Sequence, residues 1–195
     1  MTVKLKPQQT IIALDVSSFE EIKSLLAIID KDLFRLKVGK QLFTSQGPKA
    51  IDELRSLGFD IFLDLKLHDI PNTVSKSLAN ICNLGVWMSN IHLLGGQEMI
   101  QEASATVKKS NSDMILVGVT ILTSLNENNL VELGFNSSAE EIAIKLAKLG
   151  KQNGVDGVVC SIEDISGIKA SLGGDFLSIT PGVRMSQDND DQKRS

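Results

Sequence analysis

The sequence predicts an α/β fold of the TIM (β/α) barrel type, and three observations support this prediction. Short apolar, β-branched runs recur seven times along the chain, and helical patterns separate them. The runs are apolar on both faces, as in parallel strands that are covered on both sides. The chain has 195 residues and a hydrophobic fraction of 42%, which suit one domain with a sizeable core. Seven βα units in one domain favour a barrel over an open sheet.

The predicted strands are the apolar runs themselves. They span residues 10–16, 34–39, 60–67, 87–94, 114–122, 155–161 and 176–180. The polar stretch 188–195 resembles a loop, at the point where an eighth strand and helix would be expected. We therefore expect a single barrel domain over residues 1–195 that lacks its eighth βα unit.

Four of the intervening helices carry start or stop signals. Ser18 precedes two acidic residues and an apolar pattern at helical spacing, which is typical of a helix N-terminus. Two further helices begin at a proline and end at a glycine, within 48–58 and 71–85. Ser138 is followed three residues later by a glutamate, so it predicts a capping box. We expect that helix to end at Gly150.

Composition argues against several classes of protein. The net charge is −4 with acids and bases interspersed, so neither a nucleic acid polymer nor an anionic membrane is an expected partner. Cys82 and Cys160 lie in apolar segments without a CxxC spacing, which indicates buried thiols in a reducing compartment. The N-terminus lacks the apolar core of a signal peptide, and no run approaches about 18 apolar residues. These features predict a cytoplasmic protein.

The most informative segment is the end of the third strand, where an apolar run acquires charged residues. Asp64 and Lys66 would share one face of a strand, because side chains alternate with a period of two. Asp69 follows in the expected loop, before the proline that begins the next helix. A structural ion pair at the strand end would also explain the pattern.

Other strands end in polar residues too, and in a parallel barrel these ends form the active-site face. The candidate side chains on this face are Asp15, Lys37, Asp64, Lys66, Asp69, His92, Thr123 and Arg184. For His92 two interpretations stay open, a hydrogen-bonded core residue and a direct role in the site. Convergence of so many polar residues favours a functional site over a set of solvated rim residues.

Motifs for other chemistries are missing. The two histidines form no HxxxH pair, no serine lies in a GxSxG turn, and no glycine-rich nucleotide loop is present. We therefore expect no metal and no cofactor. Paired opposite charges suit proton transfer and the binding of an anionic substrate.

Seven segments spread over nearly the whole chain resemble one known family. The segments are 12–15, 36–40, 59–73, 84–88, 122–124, 156–161 and 180–184. They resemble the orotidine 5'-phosphate decarboxylase family, in its bacterial branch. The resemblance implies conversion of orotidine 5'-phosphate to uridine 5'-phosphate in pyrimidine biosynthesis, without a cofactor.

The resemblance also implies roles for individual residues. Lys37, Asp64, Lys66 and Asp69 would form the charged tetrad of the family, and Asp69 and Thr73 would reach into the neighbouring site of a homodimer. Lys66 would stabilise the carbanion left by carbon dioxide and then protonate it.

The implied contacts to the nucleotide involve further positions. Asp15 and Lys37 would hold the ribose, Thr123 would contact the pyrimidine, and the phosphate would be bound by Arg184 and Gln192. The full implied set of substrate-binding residues is Asp15, Lys37, Asp64, Thr73, Thr123, Arg184 and Gln192. The family's final strand supplies another phosphate contact, which this chain is expected to lack.

Two alternatives remain open. Magnesium-dependent sugar-phosphate decarboxylases and aldolases of the same superfamily share the Asp-x-Lys-x-x-Asp pattern, but they carry an acid in place of Lys37. A truncated barrel that keeps the motifs without turnover is the other alternative.

Overall fold

The computed structural model of the chain describes residues 7–182 and contains one seven-stranded sheet. Each strand pairs in parallel with the next, in the order β1 to β7. The strands are β1 (Thr10–Leu14), β2 (Phe34–Gly39), β3 (Ile61–Leu67), β4 (Met88–His92), β5 (Ile115–Val119), β6 (Gly157–Val159) and β7 (Leu177–Ile179). All seven predicted strands are confirmed, although several are shorter than their apolar runs.

Helices alternate with these strands, as the α/β prediction requires. They are α1 (Phe19–Leu26), α2 (Lys40–Gln46), α3 (Pro48–Ser56), α4 (Pro71–Asn83), α5 (Gly96–Lys109), α6 (Glu127–Glu132), α7 (Ala139–Gln152) and α8 (Ile165–Leu172), with a 3₁₀ turn at Leu93–Gly95. The expected position of an eighth unit, after β7, lies outside the described residues. Within 7–182, no helix is long and apolar enough to span a membrane.

The predicted helix boundaries are mostly confirmed. Ser138 and Glu141 form the capping box that begins α7, each side chain accepting a hydrogen bond from the other residue's backbone N–H at 3.2 Å. Ser18 precedes α1, but its hydroxyl donates to the Glu21 carboxylate at 2.8 Å and makes no capping bond to the backbone. Prolines begin α3 and α4, as predicted.

Gly150 does not end its helix, so this prediction is wrong. The helix α7 continues to Gln152, and the chain turns at Gly154, whose φ is +91°. A Cβ on Gly150 would lie 3.0 Å from side-chain carbons of both Leu93 and Val155. This glycine therefore allows close packing of α7, which the sequence pattern cannot distinguish from a stop signal.

Two of the apolar clusters lie on opposite faces of the sheet. The larger cluster packs between the sheet and its helices and includes the buried Cys82 and Cys160. The smaller one lies on the opposite face of the sheet, where Phe62, Met88 and Val117 pack together. Because strand side chains alternate, Asp64 and Asn90, which come two positions after Phe62 and Met88, lie on this same face. The smaller cluster is thus an apolar floor beneath the polar strand ends.

Candidate active site

The site is built around an irregularity in β3. The pairing of β3 with β4 is regular up to Leu63 opposite Ser89, and the next paired residues are Leu67 and Ile91. Four residues of β3 therefore match two residues of β4, which is a β-bulge. Within it Lys66 adopts φ +52°, a conformation that is rare for residues other than glycine. Bulges of this kind re-aim side chains next to functional sites.

The predicted proximity of Asp64 and Lys66 is confirmed, but its cause differs from the one expected. The Lys66 Nζ lies 2.7 Å from Oδ1 of Asp64. We expected the regular alternation of a strand to bring them together, whereas the backbone between them is bulged.

Asn90 on β4 completes this arrangement, although it is not among the residues predicted from the sequence. The backbone N–H of Lys66 donates to Asn90 Oδ1 at 2.7 Å, and Asn90 Nδ2 donates to Asp64 Oδ1 at 2.6 Å. Asn90 is fully buried. The sequence offers only one weak signal, which is that Asn90 lies two positions before His92 on the same face of a predicted strand.

The charges alternate in sign across three neighbouring strands. Lys37 Nζ lies 3.6 Å from Oδ2 of Asp64 and 3.2 Å from Oδ1 of Asp15. The Asp64 side chain is 10% exposed, whereas that of Asp15 is 66% exposed. The charged cluster therefore extends from the Asp64–Lys66 ion pair to the exposed Asp15 carboxylate at the rim.

Asp64 stays ionised in this setting. Burial by itself would raise the pKa of its carboxyl group, but the opposing interactions are stronger together. The charge of Lys66, hydrogen bonds from Lys66 and Asn90, and the charge of Lys37 lower the pKa of Asp64 below its ordinary value of 3.8. The site thus holds a buried carboxylate between two ammonium groups.

His92 ends β4 beside this cluster and is also buried. Its ring stacks on that of His68 with centroids 5.1 Å apart, and its Nδ1 finds no hydrogen-bond partner within residues 7–182. Burial, followed by the charges of His68, Lys66 and Lys40, lowers the pKa of His92 to about 4. The imidazole is therefore neutral near pH 7. Its Nδ1 does not fit the interpretation of His92 as a hydrogen-bonded core residue.

Asp69 and Thr73 lie apart from the cluster. Both are exposed, at the start of α4, and the Asp69 carboxylate accepts a hydrogen bond from the N–H of Ile70 at 2.7 Å. Within the described chain, Asp69 forms no ion pair with Lys37 or Lys66. The structure therefore brings together three members of the predicted tetrad and leaves the fourth on the surface.

The remaining predicted residues lie beyond β5. Thr123 is 9% exposed, in the loop that follows β5. Arg184 and Gln192 lie outside the described residues. Among residues 7–182, no three histidine, cysteine or acidic side chains form a group that could hold a metal ion.

A parallel β/α sheet with a lysine–carboxylate cluster at the carboxyl ends of its strands defines the class of β/α-barrel enzymes. Within this class, the chain belongs to the orotidine 5'-phosphate decarboxylase / HUMPS family, whose model matches residues 8–195. The family predicted from the sequence is thereby confirmed.

Individual relatives agree with this assignment. The chain is 46% identical to an orotidine 5'-phosphate decarboxylase of Saccharophagus degradans over 187 residues, which are 95% of this chain and 79% of the relative. It is 46% identical to one of Nitrosomonas eutropha over 191 residues, covering 97% of this chain and 82% of the relative. The chain is thus shorter than these relatives.

Solved structures confirm the fold. The crystal structure of orotidine 5'-phosphate decarboxylase from Lactobacillus acidophilus matches with a TM-score of 0.84 at 36% identity, covering 91% of this chain and 82% of that one. A conserved protein from Geobacillus kaustophilus, described as uncharacterized, matches with a TM-score of 0.83 at 34% identity, covering 88% and 82%.

Proposed function

We propose that this chain decarboxylates orotidine 5'-phosphate to uridine 5'-phosphate in pyrimidine biosynthesis, without a metal or cofactor. The observation that carries the proposal is the contact of 2.7 Å between the Lys66 ammonium and the buried, ionised Asp64. The curated relatives, at 41–46% identity, are named for this reaction.

Lys66 is the residue to which we assign the chemistry. The bond from C6 of the pyrimidine to the carboxylate breaks, carbon dioxide leaves, and the electron pair stays on C6. A fixed ammonium stabilises this developing carbanion and then donates its proton to C6. Solvent restores the proton on Nζ, so the enzyme returns to its starting state.

Asp64 has two roles in this mechanism. Its carboxylate orients the Lys66 ammonium, and it stands close to where the substrate carboxylate would lie. Repulsion between two carboxylates is relieved when carbon dioxide leaves, which favours the transition state over the bound substrate. The lowered pKa of Asp64 supports this role, because a protonated acid would not repel.

The apolar floor supports the same chemistry. Phe62 lies two positions before Asp64 on β3, and Met88 lies two positions before Asn90 on β4. Side chains of this kind keep water away from one side of the cluster, so each charge acts through a lower dielectric. The ammonium therefore acts more strongly on a carbanion at C6 than it would in water.

The nucleotide would extend from the cluster toward the rim. We assign Asp15 and Lys37 to the ribose hydroxyl groups, and the exposed Asp15 carboxylate beside Lys37 supports this assignment. We assign the pyrimidine side to Thr123 and the phosphate to Arg184 and Gln192.

A second copy of the chain would complete the site. Asp69 and Thr73 are exposed, and among the described residues Asp69 forms no ion pair with its own Lys66, which supports their use by a neighbouring subunit. We assign them to the partner's site in a cytoplasmic homodimer, whose ligand is a small nucleotide.

A decarboxylation assay on this chain tests the proposal. Purified protein is mixed with orotidine 5'-phosphate with and without a chelator, and the loss of substrate absorbance is followed. We expect turnover that the chelator does not change. If a chelator abolishes activity and added magnesium restores it, the chain would be assigned to the sugar-phosphate enzymes instead. Those enzymes carry an acidic residue at the position of Lys37. Absence of turnover at saturating substrate would support a non-catalytic barrel.

A further inference from the structure

The Asn90 side chain joins two parts of the candidate site. Its Nδ2 donates to Asp64 at 2.6 Å, and its Oδ1 accepts from the backbone N–H of Lys66 at 2.7 Å. The partners fix the orientation of the amide group, because a backbone N–H only donates and an ionised carboxylate only accepts. Asn90 therefore cannot flip without losing both hydrogen bonds.

These two hydrogen bonds maintain the bulge of β3. The register shift between Leu63 and Leu67 leaves Lys66 without a paired residue on β4, and its N–H donates to the Asn90 side chain in place of a backbone carbonyl. A left-handed residue other than glycine is strained, and it persists only where its surroundings hold it. Asn90 supplies the missing acceptor, so the backbone position of Lys66 depends on it.

We propose that Asn90 is a positioning residue of this site, which holds the Asp64 carboxylate and the Lys66 backbone in one arrangement. The inference rests on the proposed decarboxylation and deepens it. Asn90 acts through Asp64 and Lys66, and its amide atoms are occupied by these two partners.

Other charged groups surround the same carboxylate. Lys66 comes from β3, Lys37 from β2 with Asp15 beyond it just after β1, and the neutral His92 lies on β4 with Asn90. The two lysines keep part of their effect on Asp64 when Asn90 is changed. Removal of the Asn90 amide should therefore raise the pKa of Asp64 less than removal of the amide and both lysines would.

The first experiment compares Asn90→Ala with a matched control, Ser89→Ala. Ser89 is the adjacent residue of β4, is equally buried, and donates to the carbonyl of Leu63 on β3 at 3.0 Å. Among the described residues, no hydrogen bond joins its side chain to Asp64, Lys66 or Lys37. Three quantities are measured for each variant: kcat and KM for orotidine 5'-phosphate, and the titration of the Asp64 carboxyl carbon by ¹³C NMR.

In Asn90→Ala we expect kcat to fall about 10–100-fold, because a displaced ammonium is no longer aligned with the reacting carbon. KM should change less than about threefold, since the ribose and phosphate contacts remain. Asp64 should titrate at a higher pH than in the wild type, because a hydrogen bond to its charged form is lost. Ser89→Ala should change neither kcat nor this titration.

The second variant, Asn90→Asp, preserves the shape of the side chain. When the introduced carboxyl group is protonated, it still accepts from Lys66 N–H and donates to Asp64. When it is ionised, it repels Asp64, and the two carboxyl groups titrate as a coupled pair. We expect kcat to fall as pH rises through an ionisation that is absent from the wild type. If Asn90→Ala does not fold, this pH profile is the test.

Two results would overturn the proposal. The first is that both Asn90 variants match Ser89→Ala in kcat and in the Asp64 titration. The second is an Asp64 titration that Asn90→Ala leaves unchanged, which would show that Asn90 does not hold this carboxylate. If the wild-type chain does not decarboxylate orotidine 5'-phosphate, the proposed function fails, and this NMR titration alone tests the role of Asn90.

Discussion

Lys66 reaches Asp64 across a bulged segment of β3, with 2.7 Å between the ammonium nitrogen and the carboxylate oxygen. The contact pairs a half-buried lysine with a buried carboxyl group whose pKa is lowered, so Asp64 is ionised near neutral pH. Lys66 is therefore the side chain whose replacement is most informative about the chemistry.

Lys66→Ala should lower kcat by at least about 10³-fold, because both electrostatic stabilisation and the proton donor are lost. Lys66→Arg is the matched variant, since arginine keeps a positive charge next to Asp64 but does not give up a proton. We expect it to be inactive as well, with a thermal unfolding temperature closer to the wild type. Steady-state kinetics and calorimetry measure these effects. Turnover near the wild-type rate in either variant would contradict the assignment of Lys66 as proton donor.

Mixing two inactive variants tests the shared site. Lys66→Ala and Asp69→Ala homodimers should each be inactive, because each lacks one required residue in every site. A mixed dimer contains one site with both native residues, so activity should recover after subunit exchange. Exchange is verified by native mass spectrometry of differently labelled subunits. If exchange is complete and no activity returns, Asp69 does not serve the partner's site.

His92 predicts a pH dependence of stability. Its pKa is about 4 in the folded chain against an ordinary 6.5, so the unfolded chain binds more protons between these values. The free energy of unfolding should therefore fall as pH decreases from about 6.5 toward 4, by about 2–3 kcal/mol from this residue.

Urea denaturation at several pH values measures this slope. His92→Asn should flatten it, whereas His68→Asn should keep most of it, because burial is the first cause of the His92 shift. Equal slopes in the wild type and in His92→Asn would show that His92 does not resist protonation.

Gly157 predicts a stability effect at the β6–β7 pair. A Cβ at this position would lie 2.5 Å from the carbonyl oxygen of Leu177, a backbone atom that has little freedom to move. Gly157→Ala should lower the free energy of unfolding by about 1–3 kcal/mol. Gly174→Ala is the control, because nothing lies within 4 Å of its added Cβ, and it should stay within about 0.5 kcal/mol of the wild type. Similar stabilities of the two variants would contradict this close approach.

Much of the fold could be predicted from the sequence because strands and helices leave local patterns. The apolar runs, the capping box at Ser138 and the prolines that begin α3 and α4 are signals within a few residues. Gly150 failed as a signal because its role depends on Leu93, which is distant in sequence. Such a contact leaves no trace in the residues near the glycine.

The candidate site was predictable to a similar extent. Asp64 and Lys66 stand out as charges after an apolar run, and Lys37 and Asp15 end neighbouring strands. Asn90 was missed because its importance comes from the register shift between β3 and β4, which only the paired strands reveal.

The charged cluster lies in one contiguous stretch of the chain, from Asp15 on the first strand unit to His92 at the end of β4. Each buried charge in this stretch is balanced by a neighbour of opposite sign, so a single exchange of sign leaves an uncompensated charge. Natural variation here should therefore be correlated: Asp64 and Lys66 are expected to persist together or to be replaced together. Within residues 7–182, the strands β5 to β7 carry no ion pair of this kind, so single substitutions on these strands should leave the reacting charges unchanged.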